Sequence, residues 1–159
     1  MPQVSGLGHV GIFVDDLMKQ RDFYTRVMGL KIADEDLEQR GMVFLSAHPE
    51  EEHHEFVIMK GRVSDSNTRV VQQLSFKVDT LAELKEFHSV FKAEEDVTIQ
   101  RTVSHGNAFG MYAHDPEGNT IEVYYKTGFD VPQPHGDAVN LDDSEEALLD
   151  IARAAIPSL

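Results

Sequence analysis

The stretch HVGIFVDDLMKQRDF, residues 9–23, returns in altered form as QLSFKVDTLAELKEF, residues 73–87. The two copies align without a gap at a constant separation of 64 residues (9 to 73). Each copy combines a short strand, an aspartate turn and an amphipathic helix. Two copies of one unit predict a fold with internal pseudo-twofold symmetry, in which matched strand positions point into one shared cavity. His9 and Gln73 occupy such matched positions, and both side chains can ligate a metal ion.

Three further strand patterns follow each copy, so that each half reads strand, helix, strand, strand, strand. They are Leu30–Ala33, Gly41–Ser46 and His54–Met59 in the first half, and Val97–Val103, Ala108–Ala113 and Thr120–Tyr125 in the second. The polar segment Gly61–Asn67 is the predicted linker between the halves.

The composition is that of an ordinary globular protein with a strongly acidic surface. Among 159 residues the formal net charge is −14, which disfavours binding to nucleic acids and to anionic membranes. The absence of cysteine excludes disulfides and thiolate chemistry. The first residues lack the basic and apolar segments of a secretion signal, and no apolar run has membrane-spanning length. We therefore expect a cytoplasmic protein.

The last part of the chain, residues 129–159, departs from the repeat. Six acidic residues and one arginine lie between Asp137 and Leu159. A short amphipathic helix is predicted over residues 143–153, with an apolar patch that requires a surface to pack against. That surface is either the protein's own sheet edge or a second subunit, and we expect a homodimer with the tail near the cavity mouth or the interface. The alternative is a disordered acidic tail. The tail carries Leu141, Leu148, Leu149 and Ile151, and the last three form the patch on the helix.

Two residues stand out as chemical candidates within the strands. Glu122 lies between two apolar residues, and burial of a carboxylate is costly unless something positive pairs with it. His9 shares its strand face with Gly11, which leaves open space beside the imidazole. Taken alone each residue has an ordinary structural explanation, but their positions in the repeat point to a shared site.

The repeat resembles the vicinal oxygen chelate superfamily. The resemblance covers about residues 6–126 and rests on Gly8-His9-Val10 in the first strand and on the segment from Asp115 to Glu122. Members include glyoxalase I, extradiol dioxygenases, methylmalonyl-CoA epimerase and the fosfomycin and bleomycin resistance proteins. The resemblance implies an α+β domain over residues 1–128, with βαβββ modules at about 6–60 and 71–126. Together the modules would form one cupped, eight-stranded mixed sheet with its helices on the convex side.

The same resemblance implies a metal site. His9 and Glu122 match ligand positions of the family directly. Gln73 falls where extradiol dioxygenases place a second histidine, and an amide oxygen is a harder and weaker ligand than imidazole. The complete 2-His-1-carboxylate set for ferrous iron is therefore missing. Gln73 is either a ligand, as in glyoxalase-like relatives, or a hydrogen-bonding residue of the cavity.

The fourth position of the site has two interpretations. If Glu55 is the pseudo-twofold mate of Glu122, the ligand set is of the glyoxalase type. If the comparison is made with dioxygenases, the pair His53-His54 precedes the strand, and His54 points inward as an acid–base group. Neighbouring strand residues face opposite ways, so His54 and Glu55 cannot both line the cavity in a regular strand. A surface cluster of these residues is a third possibility.

His105 and Tyr112 complete the candidate set. The segment Ser104-His105-Gly106 resembles the Asp-His-Gly segment of small catechol-cleaving members of the family. An imidazole can hold a catecholate oxygen or move a proton near neutral pH. The Tyr112 hydroxyl can donate to a substrate oxygen, and its ordinary role is that of a core aromatic with a wet hydroxyl.

These residues predict a metal-dependent oxygenase of the extradiol type that acts on a small, catechol-like aromatic substrate. Fe(II) is the favoured ion, and Ni, Co, Zn or Mn are the alternatives. In this hypothesis His54, His105 and Tyr112 are catalytic. The second hypothesis is a glyoxalase- or epimerase-like isomerase in which Glu55 or Glu122 moves a proton. The third is a metal-free protein that binds an aromatic compound or drug.

Overall fold

The computed structural model describes residues 6–63 and 71–157 and divides the chain into two compact units, Met1–Thr68 and Arg69–Leu159. Residues 64–67 of the predicted linker lie outside the described residues. In the described ranges, no helix has both the length and the apolar character needed to cross a membrane.

The first unit is a four-stranded sheet with one helical segment. Its sheet has the order β1-β4-β3-β2, in which only the pair β1 and β4 is parallel. The helix continues beyond Asp22 as a π-helical segment, Phe23–Val27, and Gly29 follows with a φ of +75°. The elements are β1 Val10–Val14, α1 Leu17–Asp22, β2 Lys31–Asp36, β3 Met42–Ser46 and β4 Phe56–Lys60.

The second unit repeats this arrangement and extends it. Its first four strands have the order β5-β8-β7-β6, and again only the first pair is parallel. A short fifth strand, β9, is added at the edge of β6. The elements are β5 Leu74–Val78, α2 Leu81–Ala93, β6 Thr98–Ser104, β7 Ala108–His114, β8 Thr120–Lys126, β9 Asp137–Ala138 and α3 Glu145–Ala154.

The repeat in sequence fixes the start of each helix. Asp16 accepts a hydrogen bond from the Lys19 N–H at 3.0 Å, and Thr80, 64 residues on, accepts one from the Glu83 N–H at 3.1 Å. The Glu83 carboxylate in turn accepts a hydrogen bond from the Thr80 N–H at 2.8 Å, which completes a capping box. Buried side chains of the strands and of the helical segments then form the cores. These include Val14, Tyr24, Val43, Leu45 and Ile58 in the first unit and Leu84, Phe91, Phe109, Met111 and Ile121 in the second.

The predicted α+β class and the two βαβββ modules are confirmed. All eight predicted strands are present, and their hydrogen-bonded ladders form two sheets of four and five strands. The fifth strand of the second sheet comes from the tail, where no strand was predicted.

The tail packs within the second unit. Leu141 and Leu148 are buried as predicted, whereas Ile151 remains 36% exposed and Ala152 is buried in its place. Leu148 and Ala152 are four residues apart and therefore share the helix face that meets the unit, while Ile151 lies at the edge of that face. Lys92 pairs with Asp142 at 2.6 Å, so the charge of the tail is partly compensated by α2. The alternative of a disordered tail is wrong for the described residues.

Candidate functional site

Four polar or aromatic side chains form one cross-strand row on the sheet of the second unit. In the strand register, Ser75 on β5 is opposite Glu122 on β8. Glu122 is opposite Tyr112 on β7, and Tyr112 is opposite Arg101 on β6. Alternation in β8 directs Ile121 and Val123 to the other face, where both are fully buried. The row therefore lies on the face opposite the apolar core.

Glu122 is the centre of a hydrogen-bond network. Its Oε2 accepts from Ser75 Oγ at 2.6 Å and from Gln73 Nε2 at 3.0 Å, and Gln73 Nε2 also donates to Ser75 Oγ at 2.8 Å. The residue is only 8% exposed. No Lys, Arg or His nitrogen of the described residues lies within 4.0 Å of this carboxylate. A buried carboxylate without a cation is unusual, because buried charges are generally paired or bound to a metal.

Gly110 makes room for the other oxygen of this carboxylate. A Cβ atom at this position would lie 2.7 Å from Glu122 Oε1 and 3.3 Å from the Tyr112 ring. Any side chain here would therefore displace the carboxylate. A glycine is required by this close approach.

Tyr112 is a hydrogen-bond donor in this environment. Burial, together with the hydrogen bond to the Glu122 carboxylate, raises the pKa of Tyr112 to about 12. The phenol therefore keeps its proton at neutral pH. The Arg101 guanidinium carbon lies 4.3 Å from the centre of the Tyr112 ring, a cation–π contact that places a positive charge beside the network.

His105 adjoins the network from the turn between β6 and β7. Its Nε2 lies 3.2 Å from the Tyr112 hydroxyl, and its Nδ1 lies 2.7 Å from the backbone carbonyl oxygen of His135. The structure thus brings together Gln73, Glu122, Tyr112 and His105, which were the predicted site residues of the second half.

The candidate residues of the first unit form an imidazole cluster. The His9 and His54 rings are 4.4 Å apart between centroids, and Phe44 contacts His54 edge-on at 5.1 Å. His53 Nδ1 lies 2.9 Å from His54 Nδ1. Burial lowers the pKa of His54, and the neighbouring imidazoles of His9 and His53 lower it further. A neutral His54 can accept a proton.

Glu55 has a structural role in this arrangement. Its Oε2 accepts from the Ala47 N–H at 2.9 Å and from Ser46 Oγ at 3.2 Å. β4 begins only at Phe56, so strand alternation does not apply to His54 and Glu55. Of the two residues, His54 is the one that contacts His9, while the Glu55 carboxylate is engaged with the end of β3.

The strand register also corrects the proposed equivalence of Glu55 and Glu122. Ser75 pairs with Glu122 in the second unit, and its counterpart Gly11 pairs with Val57 in the first. The residue in the place of Glu122 is therefore Val57. The equivalence of Glu55 and Glu122 matched two residues of the same type. The strand pairing shows that the true counterpart of Glu122 lies two residues after Glu55.

The donor chemistry of the network in the second unit suits a divalent ion, because a carboxylate and an amide oxygen can ligate Fe(II), Mn, Co, Ni or Zn. His9, in the first unit, offers an imidazole that suits the same ions. The uncompensated charge of the buried Glu122 is consistent with a bound cation. Within the described ranges, no three His, Asp or Glu side chains come together in a way that could hold a metal. This absence concerns histidine and acidic side chains only, and the amide of Gln73 is not one of them.

Two members of the network were missed by the sequence analysis. Ser75 has no special sequence context, but it lies two residues after Gln73 in a strand and so shares its face. Arg101 could be found only through the register of β6 on β7, which contains an irregularity between Ile99 and Arg101. Such an irregularity reverses the alternation, and a pattern of single residues does not reveal it.

Several solved structures share this fold. They include the fosfomycin resistance protein FosX of Listeria monocytogenes, with a TM-score of 0.63, 21% identity and coverage of 79% of this chain and 94% of that one. Lactoylglutathione lyase of Agrobacterium tumefaciens has a TM-score of 0.58, 20% identity and coverage of 78% and 96%. An enzyme of the glyoxalase, bleomycin resistance and dioxygenase family from Burkholderia phytofirmans PsJN has a TM-score of 0.59, 18% identity and coverage of 77% and 99%. At these identities the likeness concerns the fold alone.

No curated protein matches this chain in sequence. A family model, in contrast, matches residues 6–123, which is most of the chain. The match includes β1 to β7 and extends into β8 as far as Val123, and thus covers every candidate residue from His9 to Glu122. The chain belongs to the Glyoxalase/Bleomycin resistance protein/Dioxygenase superfamily.

Proposed function

We propose that this protein is a metal-dependent oxygenase of the extradiol type that acts on a small, catechol-like substrate. The observation that carries the proposal is the contact between His9 and His54, with ring centroids 4.4 Å apart. The competing glyoxalase-type set needs Glu55 as a ligand, and its carboxylate is bound to Ser46 and Ala47. The first unit therefore offers imidazoles rather than a second carboxylate.

The metal ligands in this proposal are His9, Gln73 and Glu122, as the family resemblance implies. A bound Fe(II) would supply a template for both substrate oxygens and a path for electrons to dioxygen. Ser75 holds Oε2 of Glu122 at 2.6 Å and so fixes the direction of the carboxylate.

The remaining residues bind the substrate and move protons. His54 is proposed as the acid–base group, because it is an imidazole with a lowered pKa beside a proposed ligand. Tyr112 retains its proton and can donate a hydrogen bond to a substrate oxygen. His105 contacts the Tyr112 hydroxyl and orients it. Arg101 adds a positive charge beside Tyr112, which would favour an ionised substrate oxygen.

The direct test is oxygen uptake after anaerobic loading with ferrous iron. The substrates are 2,3-dihydroxybiphenyl and simple catechols, and the variant His54→Gln is assayed beside the unaltered protein. We expect uptake with at least one vicinal diol and a fall of at least roughly 100-fold in turnover for the variant. Glu55→Gln is the matched control, because it removes a charge from the neighbouring residue and should leave turnover unchanged. Absence of uptake with every vicinal diol would refute the oxygenase.

A glyoxalase- or epimerase-like, metal-dependent isomerase is the second candidate. It is favoured by Glu122 and Tyr112, a carboxylate and a phenol that face each other across β8 and β7 and could accept and donate a proton. The names of two structural neighbours, FosX and lactoylglutathione lyase, suggest the assays. Turnover of fosfomycin or lactoylglutathione with Mn, Co, Ni or Zn, without any need for oxygen, would support this candidate over the oxygenase.

Metal content separates both enzymes from a metal-free binding protein. Elemental analysis of protein purified without chelators should find about one divalent ion per chain, and its loss in Glu122→Gln would support the proposed ligand. Protein that contains no metal and binds an aromatic compound would favour the binding protein. The homodimer stays a prediction, and light scattering of the full chain tests it.

A further inference from the structure

The segment that follows β8, residues 127–136, wraps around His105 and Gly106. We call this stretch the clasp. Thr127 Oγ1 donates to the Gly106 carbonyl oxygen at 2.7 Å. Gln133 Nε2 donates to the His105 carbonyl oxygen at 2.8 Å and to that of Val131 at 3.1 Å. The clasp is therefore bonded to two successive backbone carbonyls, those of His105 and Gly106.

Close packing adds to these hydrogen bonds. Val131 is buried, and Gly106 has a φ of +71° beneath it. A Cβ atom at Gly106 would lie 2.7 to 2.9 Å from three side-chain atoms of Val131. Only glycine fits this conformation and this contact. The clasp thus fits the turn that carries His105.

One contact of the clasp determines the state of the imidazole. The His135 carbonyl oxygen, 2.7 Å from His105 Nδ1, can only accept a hydrogen bond. Nδ1 must therefore carry a hydrogen. In the neutral ring Nε2 is then without one, and it accepts from the Tyr112 hydroxyl at 3.2 Å. A single backbone carbonyl thus decides that Nε2, the nitrogen that faces the network around Glu122, carries no hydrogen in the neutral ring.

We propose that the clasp is a positioning element of the site, which holds His105 in the Nδ1–H tautomer with Nε2 towards the Tyr112 hydroxyl. The clasp lies beyond residues 6–123, which the family model matches, so it is an addition to the shared part of the fold. The effect of the clasp on turnover rests on the proposed function. Its effect on the tautomer does not.

Loss of the contact with the His135 carbonyl would change the tautomer of His105, because a free neutral imidazole prefers the Nε2–H form. Without the His135 carbonyl, the His105 ring would turn an N–H towards Tyr112. The phenol would then accept from His105, and the imidazole would no longer offer a lone pair to Tyr112. A proton released by a bound substrate could then not pass through the phenol to His105.

The first measurement is the tautomer of His105, from long-range proton–nitrogen NMR spectra of protein labelled in its histidines. The signal is assigned through His105→Asn, and the spectra are recorded above the pH at which the ring is charged. We expect Nδ1–H in the unaltered protein. In Gln133→Ala, and more completely in Val131→Ala with Gln133→Ala, the Nε2–H form should gain population. Gln133 is exposed, so the single variant should remain folded.

His135→Ala is the matched control for the tautomer. It removes the His135 side chain, which pairs with Asp137, but keeps the backbone carbonyl. The Nδ1–H form should persist in this variant. An Nε2–H form in the unaltered protein, or an unchanged tautomer in the double variant, would overturn the proposal.

The second measurement is turnover, with the substrate found under the proposed function. We expect kcat of the double variant to fall roughly 10- to 100-fold with little change in KM. Glu86→Ala, an exposed change on α2 outside the clasp and the site, is the control and should leave kcat unchanged. If no activity is found at all, the proposed function fails, and the NMR result still decides the role of the clasp. A switched tautomer with unchanged kcat would contradict the positioning role.

Discussion

The two units have the same ladder of strands and very different side chains on it. In each unit, a row of four residues runs across the four strands of the repeat. The strand register shifts at the same place in both rows, just before the last residue, which lies on β2 in the first unit and on β6 in the second. In the first unit the row is Gly11, Val57, Phe44 and Asp34; in the second it is Ser75, Glu122, Tyr112 and Arg101.

The difference shows where each unit can do chemistry. The second unit has a hydrogen-bonded network on the row itself, in which Ser75 and Gln73 donate to Glu122. In the first unit, the two central residues of the row, Val57 and Phe44, have no polar group in their side chains. The imidazoles of His9 and His54 lie outside the row, in the chain just before β1 and just before β4. Duplication preserved the backbone, because strand pairing depends on main-chain hydrogen bonds. The side chains were free to differ.

The largest effect is expected from a carboxylate placed in the inert row. Val57→Glu puts a charge at a position that is 8% exposed, between a glycine and a phenylalanine that offer no hydrogen bond. We expect a loss of about 3 kcal/mol or more in the free energy of unfolding, measured by urea denaturation. Val57→Gln, which is polar but uncharged, should cost clearly less. Equal stability of Val57→Glu and the unaltered protein would show that the two rows do not differ as described.

The next largest effect is expected at the counterpart in the second unit. Glu122→Gln keeps the size of the side chain and an acceptor for Ser75, but it removes the charge. We expect the bound metal to be lost and turnover to fall at least roughly 100-fold, with little change in the urea midpoint. Elemental analysis and the assay of the proposed reaction measure both. Retention of metal and activity would remove Glu122 from the ligand set.

A smaller effect is expected from Glu55→Gln. The change weakens the charge-assisted hydrogen bonds to Ser46 Oγ and the Ala47 N–H at the end of β3. We expect a loss of roughly 1 kcal/mol in the free energy of unfolding, with metal content and turnover unchanged. If the variant loses its metal instead, the glyoxalase-type set that includes Glu55 is restored.

The smallest effect concerns pH and lies between α2 and the tail. Burial lowers the pKa of His88, the neighbouring Lys92 lowers it further, and Asp142, 3.4 Å away, opposes the shift. A histidine with a lowered pKa in the folded state takes up its proton more readily when unfolded. Its contribution to stability is therefore complete above the ordinary pKa of about 6.5 and is lost as the pH falls through the lower, folded value.

Melting temperatures between pH 7.5 and pH 5 test this dependence. His88→Gln should flatten the decline of the melting temperature in that range compared with the unaltered protein. Asp142, whose pKa is lowered chiefly by its hydrogen bond with Lys92, should make its own contribution only at more acidic pH. An identical pH dependence of the two proteins would exclude His88 as its source.

Much of the fold could be predicted from the sequence because its signals are local. The predicted strands Gly41–Ser46, Ala108–Ala113 and Thr120–Tyr125 were correct to within one residue at each end. Strand alternation also placed Glu122 on the face opposite Ile121 and Val123. The site was predicted less well, because register is a property of two strands and is not written in either one alone. Glu55 was paired with Glu122 for this reason, and Arg101 was overlooked.

The sequence alone determined the duplicated βαβββ plan, since the repeat, the helix caps and the alternation each follow from neighbouring residues. It also determined the residue types available for the chemistry, among them His9, His54 and Glu122. Only the tertiary structure decided which of these side chains are engaged. Glu55 is bound to the end of β3, and His105 takes its tautomer from a carbonyl 30 residues further along the chain. Such contacts depend on long-range packing, in which distant segments compete for the same donors and acceptors.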